Sequence, residues 1–159
     1  RMRDPEAFRQ RQEKEIQEKP KPEEEVSYLD PIRNRKAFEV VLRNQTFSIV
    51  RLLAMGHLEE AAQRLAEFAG QESVEWPVPR LEDAFAGYFI SYDRIRMDAD
   101  ARNPKWLRIE SETPQKWSVL QTILDPEDHA EWALKFEVDI NASRKEARPV
   151  MRLGGVENL

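Results

Sequence analysis

The sequence predicts an α+β fold in which N-terminal helices pack on a curved antiparallel sheet of four strands. Three helical segments come first, four strand segments follow, and short links join the strands, which favours an antiparallel meander. The clearest strand covers residues 132–140, where every second residue is apolar and most residues between them are charged. This alternation predicts one buried sheet face, and the helices are expected to cover it.

The predicted helices lie at residues 33–54, 57–68 and 81–95. The first is apolar around much of its circumference and is therefore expected to be mostly buried. Gly56 is expected to end it, because glycine accepts the left-handed conformation that closes many helices. The third helix carries several aromatic residues, which face either the sheet or a pocket.

The predicted strands lie at residues 106–110, 117–124, 132–140 and 150–153. Asp125 and Pro126 supply the turn between the second and third strands. Residues 141–149 are predicted to be a connection, and Gly154 with Gly155 a tail.

Residues 1–31 are predicted to be a charged helix and a Pro/Glu linker, and residues 32–159 a single α+β accessory domain. Asp4 and Pro5 form a helix start, with aspartate as the N-cap and proline at the first helical position. Pro20 and Pro22 lie inside a run of charges, which indicates an extended linker.

Composition excludes several classes of protein. The 159 residues contain no cysteine, so neither a disulfide framework nor a thiolate metal site is expected. No run of 18 apolar residues is present, and no membrane contact is expected. Without an apolar leader at residue 1, the cytoplasm is the expected location. The net charge of -5 argues against a nucleic-acid footprint over the whole surface.

One helix nevertheless has a local excess of basic residues. Residues 33–51 contain five arginine or lysine residues, Arg43 among them, and only one acid, Glu39. Such a face can bind phosphates, or it can be a solvated face paired with nearby carboxylates. The candidate nucleic-acid contacts are Arg33, Arg35, Lys36 and Arg51.

A pocket is the second candidate site. Arg43 and Asn44 interrupt the mainly apolar helix, and they are expected either to be buried and paired for structural reasons or to lie at a pocket mouth. Aromatic residues could line a cavity, although core packing is their more usual role. The candidate lining residues are Tyr88, Tyr92, Trp117 and Trp132, with Asp93 or Asp139 as the polar group.

No catalytic residue is predicted. His129 lies among Asp125, Glu127, Asp128 and Glu131, a group that could bind a cation or transfer protons, but turn chemistry explains the same residues. No glycine-rich phosphate loop occurs in the sequence. We therefore expect no metal site and no cofactor in this chain.

Several segments together resemble a known family. They are NRKAFEVVLRNQTF at 34–47, WSVLQ at 117–121, LDP at 124–126, Trp132, and VDINAS at 138–143. In order and spacing they resemble, over residues 32–153, the domain of unknown function that closes a group of bacterial DEAD/DEAH-box helicases.

The resemblance implies a parent chain that unwinds RNA or DNA with ATP and magnesium, and makes residues 1–31 the link from its core. Helicase ATPase motifs are absent from this sequence, so the domain itself is expected to be non-catalytic. Expected partners are the helicase core in the same chain, RNA or DNA, or a second copy. The architecture is also similar to the nuclear-transport-factor-like cone, which leaves a small-molecule or cryptic enzymatic domain, or a dimerisation module, as alternatives.

Overall fold

A computed structural model describes residues 29–70 and 75–159, and these residues form the predicted α+β fold. The first 28 residues, which include the predicted N-terminal helix and most of the linker, lie outside the described part. The elements in chain order are α1 (Arg35–Ala54), α2 (Leu58–Ala69), α3 (Val78–Ser91), a 3-10 turn (Pro104–Trp106), β1 (Leu107–Glu112), β2 (Lys116–Ile123), β3 (Trp132–Asp139), α4 (Ile140–Glu146) and β4 (Met151–Asn158).

Helix α1 ends at Ala54, as its sequence predicts, and begins at Arg35, two residues later than predicted. Before it, the buried Asp30 carboxylate accepts hydrogen bonds from the backbone N–H groups of Ile32 and Arg33, at 2.8 and 3.2 Å. After it, Gly56 has a φ of 77°, and the N–H of His57 returns 2.8 Å to the carbonyl of Leu52. This left-handed glycine turns the chain tightly into α2.

The four strands form an antiparallel sheet in the order β1-β2-β3-β4, as predicted. One face joins the hydrophobic core, where a cross-strand row of Ile109, Val119, Phe136 and Leu153 packs with residues of α1, α2 and α3. The alternation predicted for residues 132–140 is confirmed, because Leu134, Phe136, Val138 and Ile140 are all fully buried.

The opposite face of the sheet carries charged residues that pair across strands. Lys135 lies 3.6 Å from both Glu110 and Glu157, and Glu137 lies between Lys116, at 3.5 Å, and Arg152, at 3.0 Å. Period-two geometry separates these residues from the apolar row. The sheet therefore buries one face under helices and presents ion pairs on the other.

The main differences from the predicted elements lie in the third helix and after the third strand. The predicted connection at 141–149 contains α4, because the Asp139 side chain accepts a hydrogen bond from the N–H of Ala142 and caps the helix. The predicted third helix ends at Ser91 rather than at residue 95. The predicted tail is part of β4, which continues to Asn158.

Both outer strands contain a bulge. In β1 the register shifts between Ile109 and Ser111, so Glu110 is the extra residue. In β4 the partners of Lys135 and Phe136 are Gly155 and Leu153, so Gly154 is the extra residue. Each bulge leaves one residue of an outer strand without a partner on the neighbouring strand.

Gly87 on α3 provides a test of this packing. A Cβ atom added there would lie 2.9 Å from the Trp132 ring. Although alanine is the better helix former by about 1 kcal/mol, we expect Gly87→Ala to lower the free energy of unfolding by about 1–3 kcal/mol through overpacking. Urea denaturation measures the change. In a Trp132→Phe background the same substitution should become neutral or stabilising, and stabilisation by Gly87→Ala alone would contradict the packing.

Candidate functional site

Arg35, one of the predicted phosphate contacts, forms a structural bridge between α1 and the sheet. Its Nε donates to Glu39 at 2.7 Å, while both terminal nitrogens donate to the Glu112 carboxylate on β1. Its guanidinium also lies 4.7 Å from the centre of the Trp117 ring. The hydrogen bonds from Arg35 lower the pKa of Glu112. For this residue the structure matches the alternative in which the basic run is paired with carboxylates.

Three other basic residues of α1 lie along a different side of the helix. We call Lys36, Arg43 and Arg51 the basic stripe, since spacings of seven and eight residues bring them to one side. Lys36 and Arg51 are exposed and Arg43 is half-buried. The stripe spans 15 residues, or about 22 Å of helix. The remaining candidate, Arg33, is exposed and precedes the helix.

Asn44 is exposed, and the prediction that it is buried is wrong. The buried polar residue of α1 is Thr46, whose hydroxyl donates to the side-chain oxygen of Gln121 on β2 at 2.7 Å. This pair lies inside the helix–sheet interface. Sequence reasoning missed it, although Gln121 was visible as a break in the apolar pattern of the second strand.

The candidate pocket residues are not brought to one place. Tyr88, Tyr92 and Trp132 pack together, with ring centres 5.1 Å apart for the two tyrosines and 6.0 Å apart for Tyr88 and Trp132. Trp117 pairs with Val138 and Trp132 with Ile123, so the two tryptophans occupy opposite ends of the β2–β3 hairpin, about 20 Å apart.

Neither candidate carboxylate lies inside the cluster of Tyr88, Tyr92 and Trp132. The side chain of Asp93 is 86% exposed beside Arg94. Asp139 caps α4. The Tyr88 hydroxyl instead donates to the backbone carbonyl of Arg94 at 2.6 Å, and burial raises the pKa of Tyr88. These contacts are those of a packed core.

The β2–β3 loop is organised by the fully buried Asp125. Its carboxylate accepts hydrogen bonds from the backbone N–H groups of Glu127, His129 and Ala130, at 2.9, 3.0 and 2.8 Å. Burial raises the pKa of Asp125, but these N–H groups outweigh burial and leave its pKa below the usual value. The acidic loop therefore follows the turn chemistry that was the simpler interpretation of its sequence.

Within this loop His129 and Glu131 meet Tyr92. The Tyr92 hydroxyl donates to Glu131 at 2.8 Å and lies 2.8 Å from Nδ1 of His129. Burial, together with the bond to Glu131, raises the pKa of Tyr92 to about 12. Across the described ranges, no three His, Asp or Glu side chains converge on a possible metal position. His57 is exposed, 4.0 Å from Glu60.

A feature that the sequence analysis missed is an apolar groove between the three long helices. Leu53 of α1, Leu58 of α2, and Phe85 and Phe89 of α3 line it, and its volume is about 260 Å³. The available signal was the apolar run at the end of α3, which contains more apolar residues than a single buried face needs.

Among the helices that the structure describes, none has the length and hydropathy to cross a membrane.

These features define a small α+β domain whose conspicuous surfaces are a basic helix stripe and an apolar groove. The profile of the family called "Domain of unknown function (DUF3516)" matches residues 1–156. The chain therefore belongs to this family, and the match includes both the predicted linker and the α+β part. No curated protein and no solved structure matches the chain.

The role of Asp125 predicts a pH-dependent stability. We expect Asp125→Asn to lower the free energy of unfolding near neutral pH by about 1–3 kcal/mol, because an amide cannot accept all three N–H bonds. Since the carboxyl pKa is depressed in the folded state, the wild type loses this stabilisation below about pH 3.9, as acid protonates Asp125. Urea denaturation at neutral and acidic pH should therefore show a difference that shrinks in acid.

The matched control is Glu127→Gln, an exposed neighbour in the same loop. It removes the same charge and should change stability little at either pH. A difference between Asp125→Asn and the wild type that is equally large in acid would show that the Asp125 carboxylate does not hold the loop as described.

Proposed function

We propose that this chain is a non-catalytic accessory domain of a bacterial ATP-dependent DEAD/DEAH-box helicase, and that it docks nucleic acid through α1. The helicase assignment is supported by the resemblance carried by the segments at 34–47, 117–126 and 138–143. In this proposal ATP and magnesium act in the core of the cytoplasmic parent enzyme, and this domain adds a contact to the substrate.

The observation that carries the docking proposal is the arrangement of charge on α1. The helix contains one acid, Glu39, and that acid is bound to Arg35. Arg35 is also paired with Glu112, so its positive charge is already matched by carboxylates. Glu39 lies within one turn of Lys36 and Arg43, but its carboxylate pairs with Arg35 rather than with the basic stripe. A row of basic residues of this kind attracts phosphates.

Binding through the basic stripe would be weak, independent of base sequence and sensitive to salt. Flexible lysine and arginine side chains neutralise phosphates and release counterions, without reading base edges. The net charge of -5 restricts attraction to this side of the molecule. Attached to a helicase core, even a weak contact raises overall affinity through effective concentration.

The test is a fluorescence-anisotropy titration of labelled single-stranded and duplex RNA over a range of salt concentrations. The variant Lys36→Gln/Arg43→Gln/Arg51→Gln should bind single-stranded RNA more weakly. The slope of log affinity against log salt should fall by about two, because three single-strand phosphate contacts contribute about 0.7 each. DNA of the same sequence tests which nucleic acid is preferred.

The matched control is Arg102→Gln/Arg108→Gln/Lys145→Gln, which removes the same charge from exposed positions elsewhere. It should leave the salt slope unchanged. Arg35→Gln should lower thermal stability and leave the salt slope unchanged, because Arg35 is engaged with Glu39 and Glu112. Equal losses of binding in the stripe variant and the control would contradict a specific role for α1, and absence of binding at low salt would contradict nucleic-acid docking altogether.

A further inference from the structure

The solvent-facing side of α3 is unusually apolar in its second half. Ile90 is 85% exposed and Phe89 is 47% exposed, and the exposed Ala86 lies one turn earlier. The acids of this helix, Glu82 and Asp83, both lie in its first half. An exposed apolar side on a helix next to a groove is typical of a docking surface.

The exposed apolar side of α3 is continuous with the groove between the helices. Phe89 belongs to both, since its ring is partly exposed and also lines the groove with Leu53, Leu58 and Phe85. Among the residues that the structure describes, Glu82 is the one charged residue of the groove lining. The groove volume of about 260 Å³ is smaller than the ~300–1,000 Å³ of most small-molecule pockets, so inserted side chains are its better match.

The surroundings of the groove are acidic. Glu82 is part of its lining, the exposed Asp83 follows Glu82 on α3, and the exposed Glu59 follows the groove residue Leu58. The basic residues nearby are engaged: the Arg64 guanidinium lies 3.4 Å from Glu60, and that of Arg80 lies 3.8 Å from the centre of the Trp76 ring. Such a rim attracts a positively charged partner and repels phosphates.

We propose that the groove and the exposed side of α3 dock an amphipathic helix of a partner protein. Its apolar side chains, at three- and four-residue spacing, would enter the groove and cover Phe89 and Ile90. Lysine and arginine residues on its flanks would face Glu59, Glu82 and Asp83. A groove between helices accepts another helix in this way, as ridges fit into grooves.

Charge favours a different protein over a second copy of this chain. A symmetric pair formed through this surface would bring two sets of Glu59, Glu82 and Asp83 into one interface, and this accumulation of like charge opposes association. The surface is also separate from the basic stripe, because Leu53 follows Arg51 by two residues and points about 200° around α1. The inference is therefore independent of the nucleic-acid proposal.

The test uses a labelled peptide of about five helical turns, with leucine at three- and four-residue spacing and lysine elsewhere, titrated with the 159-residue chain. The chain should bind this peptide more tightly than a scrambled peptide of equal composition or one with glutamate in place of lysine. Phe89→Ser/Ile90→Ser should weaken binding about tenfold or more. The control Val40→Ser/Met97→Ser, which changes apolar residues that are 42% and 43% exposed, should not.

A second variant tests the proposal even if Phe89→Ser/Ile90→Ser does not fold. Glu82→Lys/Asp83→Lys keeps the apolar side and should weaken binding at low salt, with the loss shrinking as salt rises. Equal binding of the scrambled peptide, or unchanged binding by both groove variants, would overturn the proposal. Sedimentation in which the chain self-associates, and in which Phe89→Ser/Ile90→Ser abolishes that association, would also overturn it in favour of a second copy.

Discussion

The contact between α1 and the inner side of β2 is the constraint on which the remaining structure depends. Phe38 meets the Trp117 ring edge-on at 5.5 Å, and Thr46 hydrogen-bonds Gln121 at 2.7 Å. The helical residues are eight apart, about 12 Å, and the strand residues are four apart, about 13 Å. Because the two spacings agree, α1 runs alongside β2 in the same direction, which fixes the side of the helix that faces water.

Elements with strong periodicity could be predicted from the sequence, and short elements that depend on distant partners could not. The alternation in β3 and the glycine after α1 are local signals, and both are confirmed. Helix α4 has only seven residues, too few for a periodic pattern. It is held by contacts with residues outside it, since Arg144 donates to the distant, buried Asp30 at 2.9 Å and Ser143 accepts from the N–H of Val150 at 2.8 Å.

The candidate sites, too, depend on contacts between residues that are far apart in the sequence. In the sequence Arg35 and Lys36 are equivalent neighbours, and only the position of Glu112, 77 residues later, separates a structural arginine from an exposed lysine. Trp117 and Trp132 similarly look like members of one aromatic set, yet the hairpin places them at its two ends. Composition identified the basic helix, whereas tertiary contacts decide which of its charges remain on the surface.

The bulges in the two outer strands bear on how this domain behaves at high concentration. An open sheet presents two rows of unpaired backbone groups, which can act as templates for strands of other chains and begin aggregation. The extra residues Glu110 and Gly154 disrupt those rows, one in each outer strand of the described sheet. A bulge twists an edge and breaks its hydrogen-bond spacing. Both edges of the described sheet are therefore poorer templates for an added strand than regular edges would be.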